Sequence, residues 1–202
     1  MFRTLALLVV VNASVSRANP PTARTPATAT TEATRLGAEY FIQKAGASWT
    51  YQLQGGGKGR VSINAFVDWK ASFSVSLGKK TASGTWRVKE GHWLERSGAR
   101  ADTEVVLLPA VMTRGTRWQG PASIEKGTRE LSQYEVIALD AQVELPNGVL
   151  EGCLTVLETG LDGSTPYTHF YAPNVGKVAV RGPSDWLYRL VEFRSGSRAH
   201  AD

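Results

Sequence analysis

Few residues in this chain are suited to chemistry. The three histidines are His92, His169 and His200, and Cys153 is the single cysteine. His169 lies between Thr168 and Phe170 in a strand-like stretch. As a general base it needs an acid partner and a nucleophile, for which Asp162, Asp185 and Ser164 are the local candidates. None of them stands in a recognised motif, so we read His169 as a strand histidine holding a hydrogen bond at a sheet rim. His92 and Glu95 are three residues apart. They would share a face of a helix but point to opposite faces of a strand, which disfavours a metal site. No phosphate loop, nucleophile elbow, zinc motif or dinucleotide fingerprint is present, and the glycines at 55–59 precede a strand rather than a helix. No catalytic residue, cofactor or metal is expected.

The aromatic residues are the more informative set. Trp69, Trp86, Trp93, Trp118 and Trp186 accompany Tyr167, Phe170, Tyr171 and Tyr188. Such a load lines an apolar cavity, makes a sugar-stacking platform, or simply fills a core. Trp86 is in phase with Val88, which favours the core, whereas Trp69 and Trp118 fall in expected turns and suit a rim. The candidate ligand-binding set is therefore Trp69, Trp118, Tyr167, His169 and Tyr171.

The elements that must position these residues are strands. Residues 60–68 alternate, with Val61, Ile63, Ala65 and Val67 in one phase, and residues 71–77 alternate Phe73, Val75 and Leu77 against Ser72, Ser74 and Ser76. This period of two is that of a half-buried antiparallel strand. Glu90-Gly91 is a tight hairpin between 85–89 and 92–96. Residues 102–108 form another strand, and 113–127 read as a loop carrying Trp118. Asn147-Gly148 suits a two-residue turn with positive φ at both positions. That turn sets Leu145 opposite Leu150, Ala141 opposite Leu154 and Leu139 opposite Val156. Cys153 then falls on the wetter face beside Gln142, Glu144 and Glu151, where nothing favours a thiolate, and is read as structural. A bulge at Gly152 would shift this register. Strands at 167–172, 177–181 and 185–193 follow. In the first of these, Tyr167, His169 and Tyr171 form one row and Thr168, Phe170 and Ala172 the other. The fold class is all-β, a single curved antiparallel sheet or an open or half β-barrel of about ten strands.

The N-terminus is different in kind. Arg3 precedes the apolar run at 4–11, and Ser16-Arg17-Ala18 supplies small residues where a signal peptidase reads. We expect a signal peptide over 1–18, a Thr/Pro/Ala-rich disordered tether over 19–37, a β-domain over 38–194 and a frayed tail over 195–202. A short helical turn is expected near Tyr40 and Phe41. Removing Arg3 and Arg17 lowers the net charge from +5 to +3, too little for a nucleic-acid binder. No segment of the mature chain has the apolar length of a transmembrane helix. The expected location is the periplasm or the extracellular space.

Two stretches share a device. Gly46-x-x-Trp49 follows Tyr40-Phe41, and Gly115-x-x-Trp118 follows Leu108-Pro109. Each marks a turn entering β sequence, as if opening two similar halves. Together with Tyr51, the stretch Gly148 to Cys153, Tyr171-Ala172-Pro173-x-Val175-Gly176 and Leu190, these residues resemble a group of exported bacterial cell-envelope proteins of unknown function. That group is similar to the curved half-barrels of periplasmic lipoprotein carriers. The resemblance implies fold and compartment only. The expected function is non-catalytic: binding a lipid or other apolar ligand, or a lipidated envelope partner, in the concave face. The alternatives are a structural or protein-interaction domain with a filled core and, less favoured, a hydrolase-like enzyme using His169. An open or filled concave side separates the first two, and a His169–carboxylate pair in a cleft would favour the third.

Overall fold

The structure is a computed structural model, and it describes residues 33–97, 103–122, 131–163 and 166–196. The expected signal peptide, the beginning of the tether and the last six residues lie outside the described residues. The strands are β1 (Arg35–Leu36), β2 (Ser48–Leu53), β3 (Lys58–Val67), β4 (Lys70–Leu77), β5 (Lys80–Lys89), β6 (His92–Ser97) and β7 (Val105–Leu108). They continue with β8 (Val111–Met112), β9 (Arg117–Pro121), β10 (Leu131–Leu145), β11 (Gly148–Gly160), β12 (Tyr167–Ala172), β13 (Gly176–Arg181) and β14 (Trp186–Arg194). One 3-10 turn, Gly37–Tyr40, follows β1. The all-β expectation holds, and ordered pairing reaches back to Arg35, ahead of residue 38, because Arg35 pairs with Met112 and Leu36 with Val111.

Twelve strands form one antiparallel sheet in the order β7-β6-β5-β4-β3-β2-β14-β13-β12-β11-β10-β9. This is two six-stranded meanders, β2–β7 and β9–β14, joined side by side through β2 and β14. The β2–β14 seam is a ladder running from Tyr188 opposite Leu53 to Arg194 opposite Ser48. At the other seam β7 and β9 lie close without a ladder. A Cβ built on Gly120 of β9 would sit 2.7 Å from the carbonyl oxygen of Val106 in β7. The sheet is therefore nearly closed into a barrel, with two more strands than the approximate count read from the sequence.

Both meanders open with the same local geometry. Gly46 has φ 75° and Gly115 φ 86°, a region open to glycine without strain. The Gly46 amide donates to the Ile63 carbonyl (2.9 Å) and the Ile63 amide to that of Ala47 (2.8 Å). The Gly115 amide donates to the Val136 carbonyl (2.7 Å) and the Val136 amide to that of Thr116 (2.9 Å). In each case the glycine bends the chain, and the tryptophan three residues later lies on the first strand. Trp118 is thus in β9, not in a loop, and its ring stacks on Tyr134 of β10 (5.4 Å, 16°). The expected loop at 113–127 is a strand over Arg117–Pro121.

The hairpin between β10 and β11 departs from its expected register. The loop is Pro146-Asn147, and Leu145 pairs with Gly148. Proline fixes φ near −65°, which suits the first loop position, so the turn forms one residue earlier than Asn-Gly alone would place it. Further along, Ala141 pairs with Cys153 while Val143 pairs with Leu150, leaving an extra residue at Gly152, whose φ is 71°. This bulge turns Cys153 inward beside Ala141, while Leu154 and Val156 keep the inward phase expected of them. Cys153 accordingly sits in the core at 0% exposure rather than on the wetter face. Burial pushes its thiol up to about 11, with Asp140 adding to the shift, so it stays protonated and unreactive at neutral pH.

Most of the buried interior is apolar, and the outward face of the first meander is polar. Outward positions of β3, β4 and β5 carry Arg60, Ser62, Ser74, Ser76, Thr81 and Ser83, which together line a shallow groove. Membrane barrels have the reverse polarity, an apolar band facing lipid. Among the described residues no helix is long and apolar enough to cross a membrane. The 3-10 turn packs Tyr40 and the following Phe41 into one end of the barrel, where both are buried. Tyr40 meets Tyr171 edge-on (6.3 Å), and Phe41 meets Trp93 (5.8 Å).

Candidate ligand cavity

A barrel of this strand number has a lumen too wide for aliphatic side chains alone to fill. Here aromatic side chains fill most of it. Trp86 stacks on Phe73 (4.1 Å, 19°) and meets Trp49 (6.2 Å) and Trp93 (5.5 Å) edge-on. What remains is a cavity of about 130 Å³ bounded by Trp49, Tyr51, Phe73, Trp86, Trp93 and Tyr188, among others. A second cavity of about 80 Å³ is bounded by Pro121, Ala122, Tyr134 and Val180. The two share Leu77, Glu95, Leu107, Tyr171, Lys177 and Tyr188 as walls. Leu77 and Tyr51 place this space toward the end of the barrel that holds the β2–β3 and β4–β5 turns. The 3-10 turn closes the opposite end.

Two hydrogen bonds that pass over β14 on the inner side brace this part of the wall. The Trp49 indole N–H donates to the Val175 carbonyl (2.6 Å) and the Tyr51 hydroxyl to the Lys177 carbonyl (2.8 Å). They tie the first strand of one meander to the β12–β13 hairpin of the other. Two charged side chains also line the cavity. Glu95 accepts a hydrogen bond from the Trp86 indole N–H (2.9 Å). Lys177 places its ammonium over the Tyr171 ring, 5.4 Å from the centroid. Its direction follows from a bulge: Phe170 pairs with Ala179 but Tyr171 with Lys177, so Val178 is an extra residue. An extra residue re-aims the side chains beside it.

Next to this space is a buried polar clasp. Glu158 accepts from the Ser132 hydroxyl (2.8 Å) through one oxygen and contacts His169 Nε2 (2.7 Å) through the other. Glu158 and His169 are 0% and 1% exposed at the side chain. Burial, reinforced by Lys177, lowers the His169 imidazole to about 4 against the opposing pull of Glu158, so it is neutral at pH 7. The proton then sits on Nε2, which donates to Glu158. Nδ1 is left as a buried acceptor with no partner among the described residues.

The His169–carboxylate pair raised by the sequence is present, but with Glu158 rather than Asp162 or Asp185. Its connectivity is serine–carboxylate–imidazole. Activation of a hydroxyl needs serine–imidazole–carboxylate, with the imidazole touching the nucleophile. Ser132, Glu158 and His169 stand on β10, β11 and β12 and bind these strands together. Asp185 instead accepts from the amide of Trp186 (2.7 Å) in its own turn. Ser164 lies outside the described residues.

The candidate ligand-binding residues are not all gathered in one place. Tyr171 lines both cavities. His169 stacks behind it (6.5 Å, 22°), and Trp118 lies behind Tyr134. Tyr167 sits half-buried opposite Glu158 in the β11–β12 ladder. Trp69 is 62% exposed in the β3–β4 turn, at the plugged end and away from the cavity. Of the two rows of β12, Tyr171 and His169 face inward and Phe170 packs outside on Trp186 (5.4 Å). Sequence reasoning missed Ser132, Glu158 and Lys177 and gave Glu95 no role in a cavity. For two of them a signal existed: Glu158 is in phase with the buried Leu154 and Val156, and Glu95 with Trp93. Among the described residues no cluster of acidic, histidine or cysteine side chains could hold a metal ion. No protein-family model, curated protein or solved structure matches the chain.

Proposed function

We propose that this is an exported β-barrel that binds a small apolar or aromatic molecule in its lumen without transforming it. The observation that carries the reading is the aromatic-walled cavity of about 130 Å³ with its adjoining space of about 80 Å³. An apolar cavity of roughly 150 Å³ takes a benzene-sized guest, whereas drug-sized pockets run to roughly 300 Å³ and more. The space therefore suits one ring or a few methylene groups, and a full acyl chain of a lipidated partner does not fit. The basic, apolar and small-residue pattern of residues 1–18, followed by the Thr/Pro/Ala tether, supports delivery to the periplasm or the extracellular space.

The second reading is a structural or interaction domain, and the near-complete filling of the lumen by aromatic rings favours it. Titration of the purified protein with toluene, read by tryptophan fluorescence, decides between them. Binding predicts a saturable change that is lost when Ala82→Phe fills the cavity while the circular dichroism stays native. A protein that gives no saturable response to toluene or to any other one-ring probe has a filled core, and the binding reading fails.

A further inference from the structure

We propose that the guest carries a carboxylate, held by the ammonium of Lys177 with its apolar body among the tryptophans. This rests on the lumen being a binding site. The cavity wall carries a cation, Lys177, without an ion-pair partner among the described residues. Lys177 is half-buried and inward-facing, and among the described residues it forms no ion pair and no side-chain hydrogen bond; its ammonium lies over the face of Tyr171. The wall's one carboxylate, Glu95, is already engaged by the indole of Trp86.

A cation placed in an aromatic enclosure loses hydration, and a ring face restores only a fraction of it. A carboxylate supplies the opposite charge at Lys177 while its hydrocarbon portion occupies the apolar space. A small aromatic or short-chain carboxylic acid is the class of molecule that meets these demands together. A neutral hydrocarbon would leave the ammonium unmet, and an amine would add a second cation beside the first.

Three one-ring probes of similar size test this on the mature protein by calorimetric titration: benzoate, toluene and benzylamine. Benzoate is expected to bind about ten-fold or more tightly than toluene, the size of effect a charge-assisted hydrogen bond supplies. Lys177→Met should abolish the preference, bringing benzoate to or below the level at which the same variant binds toluene. Lys177→Arg, which keeps the charge, should retain most of the preference. Equal binding of benzoate and toluene, an unchanged preference in Lys177→Met, or tighter binding of benzylamine would each overturn the assignment while leaving the lumen a binding site. Absence of binding by all three probes would instead remove the proposed function, and this inference with it.

Discussion

The two meanders share a frame and differ in what they place inside it. Each begins with a glycine at positive φ, a reciprocal pair of amide–carbonyl bonds to its second long strand, and an inward tryptophan. In the first meander that tryptophan, Trp49, donates its N–H past β14 to the Val175 carbonyl, and the space beyond it is walled mainly by aromatic side chains, with Glu95 and Lys177 among them. In the second, Trp118 stacks on Tyr134 and keeps a buried N–H without a partner among the described residues. Beyond it the interior is polar, with Ser132, Glu158 and His169 locked together. The frame is thus indifferent to its filling. Backbone geometry sets the barrel, and the side chains give one half most of the larger cavity and the other a buried polar clasp beside a smaller one.

The largest test of that division is removal of Glu158. Glu158→Ala strips the partner from two buried groups and is expected to lower stability by about 3–5 kcal/mol. Glu95→Gln, which keeps a side-chain acceptor for Trp86, should cost about 1 kcal/mol. Urea unfolding of both variants reads the contrast, and similar losses would erase it. Acid comes next. His169 titrates near 4 in the fold and near 6.5 when unfolded, so between these values the unfolded chain binds more protons. Stability is therefore full above pH 6.5 and falls toward pH 4 by an amount on the order of 2–3 kcal/mol. His169→Gln should flatten that slope, and a wild-type slope surviving in the variant would assign it to other groups.

A smaller effect probes the shared frame. A Cβ on Gly46 or Gly115 meets at most one atom at ordinary contact distance, so replacement by alanine isolates the backbone cost. Each should lose about 1–2 kcal/mol, and the two losses should agree within roughly 0.5 kcal/mol. A clear inequality in the melting temperatures would mean that the two openings are not equivalent. The smallest effect distinguishes the seams. Amides of β7 and β9 that face each other have no ladder, so by hydrogen exchange they should open ahead of those in the β2–β14 ladder. Equal protection would show a second, closed seam.

The strands were legible because one face of nearly every segment is buried, and a period of two records that burial directly. The closure was not, since the pairing of Tyr51 with Leu190 joins residues whose alternation says nothing about which strand lies next door. The site was least legible where a bulge intervenes. One extra residue at Gly152 carried Cys153 into the core, and one at Val178 set the direction of Lys177. Glu158 was hidden differently. It keeps the inward phase, but a carboxylate in an apolar row makes sense only once Ser132 and His169 arrive from neighbouring strands.

The β2–β14 ladder also fixes how the barrel answers a pull. Ser48 lies opposite Arg194 at the plugged end, so a load applied at residues 46 and 196 falls on the first rung of an antiparallel pair. The rungs would then open in succession, as in a zipper, instead of failing together in shear. Anchored from those two points, the barrel yields at low force, and the rupture begins on the side of the molecule where the two meanders are fastened.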